Sequence, residues 1–133
     1  MRLAAAFPAV LSTLLAVFAP SNVFAANGFT GTCATWSGSG TTLQATCSAI
    51  NGTQITSTLN LNNCFTNTQG ILGFQVNGNF AGSCTKIAHN AGNNRHGDEA
   101  WLSALCSAGN GKQFDTAIAT NTYIGNSNGV LAC

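Results

Sequence analysis

The chain has 133 residues, and its low charge limits the classes of function it can have. Only 5% of the residues are charged, and the formal net charge is +1 at pH 7. Nucleic-acid binding and adhesion to anionic membranes both need a basic face, which so few cations cannot form. The polar surface must therefore be built from amides, hydroxyls and glycine. These groups suit a neutral, hydroxyl-rich ligand such as a sugar, although they also fit a surface that is merely soluble.

The N-terminal sequence predicts a secretory signal peptide over residues 1–25. A short positive start precedes an almost unbroken apolar run from Leu3 to Phe18, and Val23-Phe24-Ala25 supplies small residues at the cleavage positions. A membrane anchor is the alternative, but the run is too short and Pro20 interrupts it. We therefore expect a secreted, extracellular domain of residues 26–133, with no further segment that inserts into a membrane.

Six cysteines follow the predicted cleavage site, and their number predicts a disulfide framework. An even count in a small secreted chain is typical of disulfide-bonded domains. Zinc is the alternative, but the sequence has no Cys-x-x-Cys pair, and His89 and His96 lie in a hydrophilic segment. We expect no metal and no other cofactor.

The first elements of the expected domain predict a β-hairpin. Phe29 to Cys33 is followed by Trp36 and then by Leu43 to Cys47, across a Ser-Gly-Ser-Gly sequence. This order predicts two strands with Gly38 and Gly40 in the loop between them.

A turn at Asn51-Gly52 and an alternating strand from Ile55 to Leu61 lead into a distinctive stretch, residues 59–72. This stretch carries an apolar anchor, Phe65, and a polar turn from Asn67 to Gly70. A degraded copy with its own anchor and polar turn occupies residues 118–131. A unit that carries a polar turn twice predicts two copies of a site.

The duplication extends over the whole expected domain. Phe80 to Cys84 matches Phe29 to Cys33, and Leu102 to Cys106 matches Leu43 to Cys47. The second copy has a longer segment between its cysteines, and we place the surplus in a surface loop at residues 90–97.

The two sequence repeats therefore cover about residues 29–79 and 80–133, within one domain. Six cysteines allow many pairings. Symmetry favours Cys33–Cys47 and Cys84–Cys106, because each pair spans a predicted hairpin in an equivalent place. Cys64–Cys133 then remains, and this bond would tie the two halves together.

This ordered, duplicated set of motifs resembles the cyanovirin-N homology (CVNH) domain over essentially all of the expected mature chain. Phe29, Phe80, Leu43 and Leu102 each stand four residues before a cysteine, as in that family. The pattern is completed by Leu59-Asn-Leu-Asn62, Asn67-x-x-Gly70-x-Leu72 and Asn126-x-x-Gly129-x-Leu131. The first two cysteine pairs match those of the family, whereas Cys64–Cys133 is an addition.

The resemblance implies an all-β fold of two pseudo-symmetric halves, each with a triple-stranded sheet and a β-hairpin. Chain segments are exchanged, so that each half contains pieces of both repeats. The resemblance also implies a lectin that binds mannose-type oligosaccharides or glycoproteins in one or two shallow pockets without a metal. Some members of the family form domain-swapped dimers through a hinge, here residues 74–79, so we expect a monomer or such a dimer.

Carried over by position, the family's two pockets fall on two sets of residues. One is lined by Gly28, Gly31, Thr32, Ser48, Ile50, Asn126, Ser127 and Asn128. The other is lined by Thr66, Asn67, Gln69, Gln75, Asn79 and Ser83, together with residues 107–111. Positions that are charged in the founding pattern are neutral here, which predicts weaker affinity or altered linkage preference. The second pocket is the more eroded, because Ala108, Gly109 and Gly111 offer little but backbone.

Several of these residues also have a purely structural interpretation. Phe29, Phe80, Leu43, Leu102, Phe65 and Ile124 are expected to anchor the core. Asn67 and Asn126 suit their turns and could also contact a sugar.

Catalysis is not expected, because a glycosidase needs two carboxylates that face one another across the scissile bond. The only carboxylate pair, Asp98-Glu99, is adjacent within a loop.

The alternative to a lectin is a secreted, disulfide-rich structural or defence protein that keeps the fold and binds no sugar. Finally, Asn51-Gly52-Thr53 is an N-glycosylation sequon beside the first pocket.

Overall fold

The computed structural model describes residues 27–89 and 100–133, and these residues form an all-β fold of two similar halves. The predicted signal peptide, the loop at residues 90–97 and the pair Asp98-Glu99 lie outside the described residues. Within the described ranges, no helix is long and apolar enough to cross a membrane.

Each half is built on a three-stranded antiparallel sheet in which neighbours along the chain pair with one another. The first sheet contains β1 (Cys33–Ser39), β2 (Thr42–Ser48) and β3 (Gln54–Asn60). The second contains β6 (Cys84–His89), β7 (Trp101–Ser107) and β8 (Gln113–Ala119). The alternating burial along β2 and β7 puts one face of each sheet on the core, as expected for half-buried strands.

Two short hairpins complete the halves: β4 (Phe65–Thr68) with β5 (Ile71–Phe74), and β9 (Gly125–Ser127) with β10 (Val130–Ala132). Both residues of each turn have positive φ: 52° and 90° at Gln69 and Gly70, 50° and 95° at Asn128 and Gly129. A two-residue turn of this kind matches the twist of its strands. This requirement explains the duplicated Asn-x-x-Gly pattern, in which glycine occupies the more extreme position.

Each hairpin packs on the sheet of the other repeat. The Leu72 N–H of β5 donates to Thr116 Oγ1 of β8, at 3.1 Å. In the equivalent place, the Leu131 N–H of β10 donates to Ser57 Oγ of β3, at 2.9 Å. The expected exchange of segments is therefore confirmed.

Short 3-10 helices at Leu61–Asn63 and Thr120–Thr122 reinforce this exchange. Asn62 Oδ1 accepts the N–H of Ala81, and Asn121 Oδ1 accepts the N–H of Thr30, both at 2.9 Å. Each amide thus fixes the beginning of one repeat to the middle of the other.

A single apolar core runs through both halves. The six predicted anchors are all buried, with exposures between 0% at Phe29 and 3% at Leu43. Trp36 is also buried and packs edge-on against Phe29, with ring centroids 5.6 Å apart. Full burial of a large apolar side chain contributes about 1.5–3 kcal/mol to folding, so the anchors are a major source of stability.

Three disulfides join the six cysteines: the two pairs that symmetry favoured and the pair that then remained. Cys33–Cys47 and Cys84–Cys106 each link the first two strands of a sheet. Cys64–Cys133 closes a loop with a sequence separation of 69 and fastens the C-terminus to the first repeat.

The prediction that Gly38 lies in a hairpin loop is wrong. Gly38 belongs to β1 and pairs with Leu43, while Gly40 and Thr41 form the two-residue turn. Glycine is needed at position 38 because the ring of His89 covers it and leaves no room for a Cβ atom. His89 Nε2 lies 2.8 Å from the Gly40 carbonyl oxygen, so this ring joins the two halves.

Candidate functional site

Two polar clusters occupy equivalent places in the two halves. The first cluster consists of Thr32, Ser48, Ile50, Asn126 and Asn128, and the second consists of Asn67, Gln69, Ser83, Ser107 and Gly109. Each cluster combines a hairpin turn of one repeat with two segments of the other repeat, because the hairpins are exchanged.

Asn126 organises the first cluster. Its Nδ2 donates to Thr32 Oγ1 and to the Ser48 carbonyl oxygen, both at 2.9 Å. Its Oδ1 accepts the N–H of Gly129 at 2.6 Å. One amide side chain therefore fixes the turn of β9–β10 against two segments of the first repeat.

Asn67 has the same role in the second cluster. Its Nδ2 donates to Ser83 Oγ and to the Ser107 carbonyl oxygen, both at 2.8 Å. Its Oδ1 accepts the N–H of Gly70 at 2.7 Å. The turn role expected for these two asparagines is therefore present in both halves.

These bonds determine which groups a ligand can meet. A side-chain amide has two N–H donors, and both are engaged in Asn67 and in Asn126. Thr32 and Ser83 are exposed, and their hydroxyl oxygens accept from these amides. Each hydroxyl therefore keeps its own proton for a further partner while its oxygen is held in place. The asparagines position the site, and the hydroxyls face the solvent.

A second turn lies beside each hairpin, and the two copies are built alike. The Ala49 N–H donates to the Thr53 carbonyl oxygen at 2.7 Å, and the Ala108 N–H donates to the Lys112 carbonyl oxygen at 2.9 Å. The main difference is a side chain: Ile50 in the first turn corresponds to Gly109 in the second.

Ile50 gives the first cluster an apolar edge. Its side chain is 89% exposed, yet its backbone is fixed because its N–H donates to Asn128 Oδ1 at 2.8 Å. In the second cluster, a Cβ atom added to Gly109 would lie 3.7 Å from Gln69 Oε1, so that turn is also close to its hairpin. The first cluster offers more side-chain surface than the second, in line with the predicted erosion.

Most of the remaining predicted site residues bond or pair outside the two clusters through their backbone. The Gly28 N–H donates to the Asn121 carbonyl oxygen, and Gly31 directly precedes Thr32. The N–H groups of Gln75 and Asn79 donate to the backbone oxygens of the segment 62–64. Ser127 and Thr66 lie on the hairpin strands, paired with Val130 and Gly73 respectively.

Gln54 contacts the first cluster, and the sequence analysis did not predict this. Its Nε2 donates to Ser48 Oγ at 2.8 Å, across the first pair of the β2–β3 ladder. The signal was present, since a hairpin around Asn51-Gly52 with the correct register places Gln54 opposite Ser48.

Both clusters are formed by neutral groups. Among residues 27–89 and 100–133, no group of three or more His, Cys, Asp or Glu side chains is arranged to hold a metal ion. The hydroxyls, amides and backbone groups of these clusters match the donor and acceptor character of a neutral polyol.

Comparisons with known proteins agree with this architecture. The CVNH domain model matches residues 29–132. A designed cyanovirin-N homolog lectin, LKAMG, is 25% identical with a TM-score of 0.66, covering 79% of this chain and 97% of that one. GzCVNH from Gibberella zeae is 25% identical with a TM-score of 0.64, covering 77% and 92%. Microvirin in complex with mannobiose is 26% identical with a TM-score of 0.64, covering 77% and 94%. No curated protein matches the chain.

The exchanged hairpins, the paired sheets and the two equivalent polar clusters define a pseudo-symmetric, disulfide-bonded all-β domain. The match over residues 29–132 is more specific: the chain belongs to the CVNH domain family.

Proposed function

We propose that the protein is a secreted lectin that binds mannose-type oligosaccharides through both clusters without a metal. The observation that carries this proposal is the pair of exposed hydroxyls, Thr32 and Ser83, each held by an asparagine amide. Membership of the CVNH family supports it, as does the similarity to microvirin, whose solved structure is a complex with mannobiose.

The chemistry of the clusters favours a sugar. A sugar hydroxyl both donates and accepts hydrogen bonds, and each held hydroxyl does the same. Because the hydroxyl oxygens are already fixed, binding costs little side-chain entropy.

The first cluster is proposed as the stronger site. Asn128 is fixed through the Ile50 N–H, so its Nδ2 is available in a defined direction. The exposed side chain of Ile50 can cover the carbon face of a pyranose ring, and burial of apolar surface would add to the affinity. The second cluster has no such side chain at Gly109.

A glycan array separates this proposal from a structural or defence protein without sugar binding. We expect signals on mannose-terminated oligosaccharides that persist with a metal chelator and at raised salt, because the clusters contain no charged group. No signal on any glycan would contradict it.

Single variants then test the site itself. Loss of one hydroxyl hydrogen bond is worth about 1 kcal/mol, so Thr32→Val should weaken binding at the first cluster roughly fivefold. Thr58→Val removes an exposed threonine on β3 outside both clusters and serves as the matched control. Equal affinities of the two variants would remove Thr32 from the site.

A further inference from the structure

The sequon Asn51-Gly52-Thr53 lies in the turn that forms one edge of the first cluster. The preceding residue, Ile50, is bonded through its N–H to Asn128 Oδ1. Anything attached to Asn51 therefore begins one residue away from the first cluster.

The turn presents Asn51 Nδ2, the atom that would receive the glycan, to solvent. Asn51 Oδ1 accepts the N–H of Thr53 at 2.9 Å, which fixes the orientation of the side-chain amide. Within the described part of the chain, Asn51 Nδ2 has no hydrogen-bond partner, and all three residues of the sequon are exposed. The folded protein can therefore carry a substituent on Nδ2 without losing a contact.

The equivalent turn of the second half shows that the fold does not require Thr53. Asn110 Oδ1 accepts the N–H of Lys112 at 3.0 Å, in the same arrangement as in the first turn. Both turns use the asparagine oxygen and a backbone N–H, whereas the third side chain differs. The threonine hydroxyl is thus dispensable for the turn but is what N-glycosylation demands.

We propose that Asn51 is an N-glycosylation site and that its glycan covers the first cluster while leaving the second cluster free. In the transfer, Asn51 Nδ2 attacks the anomeric carbon of an oligosaccharide carried on a lipid diphosphate, the donor class that a eukaryotic secretory pathway supplies. A carbon–nitrogen bond forms, the bond from the anomeric carbon to the diphosphate oxygen breaks, the lipid diphosphate leaves, and Nδ2 loses one proton.

The covering role rests on the proposed lectin function. An attached glycan stays close to the first cluster, so its effective concentration there is high even when its affinity is low. N-linked glycans carry mannose, the ligand class proposed for this cluster. An added oligosaccharide must displace the attached one, whereas the second cluster, beside Asn110-Gly111-Lys112, has no sequon.

Peptide mass mapping tests the modification. The full chain is produced with its own N-terminus in a eukaryotic secretory host, and the peptide containing Asn51 is analysed before and after enzymatic removal of N-glycans. A glycan mass on Asn51, absent in Thr53→Val, is expected. The Lys112→Thr variant should gain a second glycan, on Asn110. Unmodified Asn51 in the secreted protein overturns the proposal.

Binding measurements test the covering role. Mannobiose is titrated into two proteins from the same host, the Ser83→Ala variant and the Thr53→Val, Ser83→Ala double variant, in which the second cluster is weakened equally. We expect the Thr53→Val protein to bind severalfold more tightly. Equal affinities overturn the covering role, with the modification decided by mass alone. Absence of binding in the unglycosylated Thr53→Val protein, with intact Ser83, would instead contradict the lectin function.

Discussion

At the scale of single residues, the equivalent asparagines Asn126 and Asn67 each make three hydrogen bonds within the protein, which a sugar contact alone would not require. Asn126 satisfies one backbone N–H, one carbonyl and one hydroxyl from three separate segments. Asn67 repeats this set in the other half. We therefore expect their effect on the proposed sugar binding to be indirect, through the positions of Thr32 and Ser83.

Asn126→Ala tests this role through stability. The change removes three hydrogen bonds and leaves the Ser48 carbonyl and the Gly129 N–H without a partner. At about 1 kcal/mol for each bond, we expect a loss of roughly 2–3 kcal/mol in the free energy of unfolding. The measurement is denaturant unfolding. Ser127→Ala, on the next residue, is the control and should be near neutral. Unchanged stability in Asn126→Ala would show that these bonds do not hold the turn.

Ile50 and Asn128 illustrate what sequence could not supply at this scale. Both were placed in the first pocket only by resemblance, and their direct contact spans 78 positions in the chain. Nothing local in either segment indicates the other. The Asn51-Gly52 turn, by contrast, was predictable, because asparagine and glycine favour turns for local reasons.

At the scale of elements, the exchanged hairpins build the clusters, and their turns tolerate little change. Gly70 has a φ of 90°, and a Cβ atom there would lie 2.6 Å from the Phe114 ring. Gly129 has a φ of 95°, and a Cβ atom there would lie 2.7 Å from Ile55 Cδ1. The two glycines are needed both for conformation and for the close approach to the other repeat's sheet.

Gly70→Ala and Gly129→Ala should each destabilise the protein by about 2 kcal/mol, from the strain of positive φ together with the clash. Gly73→Ala is the matched control, because a Cβ atom there meets nothing within 4 Å and its φ is not positive. Chemical denaturation of the three variants measures the effect. Equal stability of all three would contradict the docking described here.

Sequence predicted these hairpins well but not their partners. Phe65 and Asn67-x-x-Gly70 determine an anchor and a turn locally. Which sheet receives a hairpin depends on contacts between distant segments, such as Leu72 with Thr116, and only the family resemblance supplied it. The prediction for Gly38 failed for the same reason, since position 38 requires glycine because of His89 in the other half.

At the scale of the whole molecule, the third disulfide joins the first repeat to the end of the second repeat. Cys64 lies in the first repeat and Cys133 ends the second. Around Cys64, three backbone oxygens of the segment 62–64 accept N–H groups from Gln75, Asn77 and Asn79, so the hinge folds back on this segment. The disulfide and the hinge contacts hold the same junction between the halves.

Removing the bond with Cys64→Ala and Cys133→Ala together should lower stability by roughly 4 kcal/mol, from the loop entropy of the unfolded chain. Sugar affinity should stay unchanged, because neither cysteine belongs to a cluster. Denaturant unfolding measures the stability, and a glycan titration measures the sugar affinity. An unchanged unfolding midpoint, or lost binding in a folded double variant, would contradict it.

Size-exclusion chromatography of the same proteins tests the predicted monomer or domain-swapped dimer.

Two neutral, pre-positioned hydroxyl clusters are proposed to bind a mannose-type sugar. Calorimetric titration of mannobiose into unglycosylated protein and into the Thr32→Val, Ser83→Ala double variant tests it most directly. We expect chelator-independent binding to the unsubstituted clusters and roughly fivefold weaker binding at each cluster in a double variant of unchanged fold. No binding of mannobiose to the unsubstituted clusters, or full binding by the double variant, would contradict it.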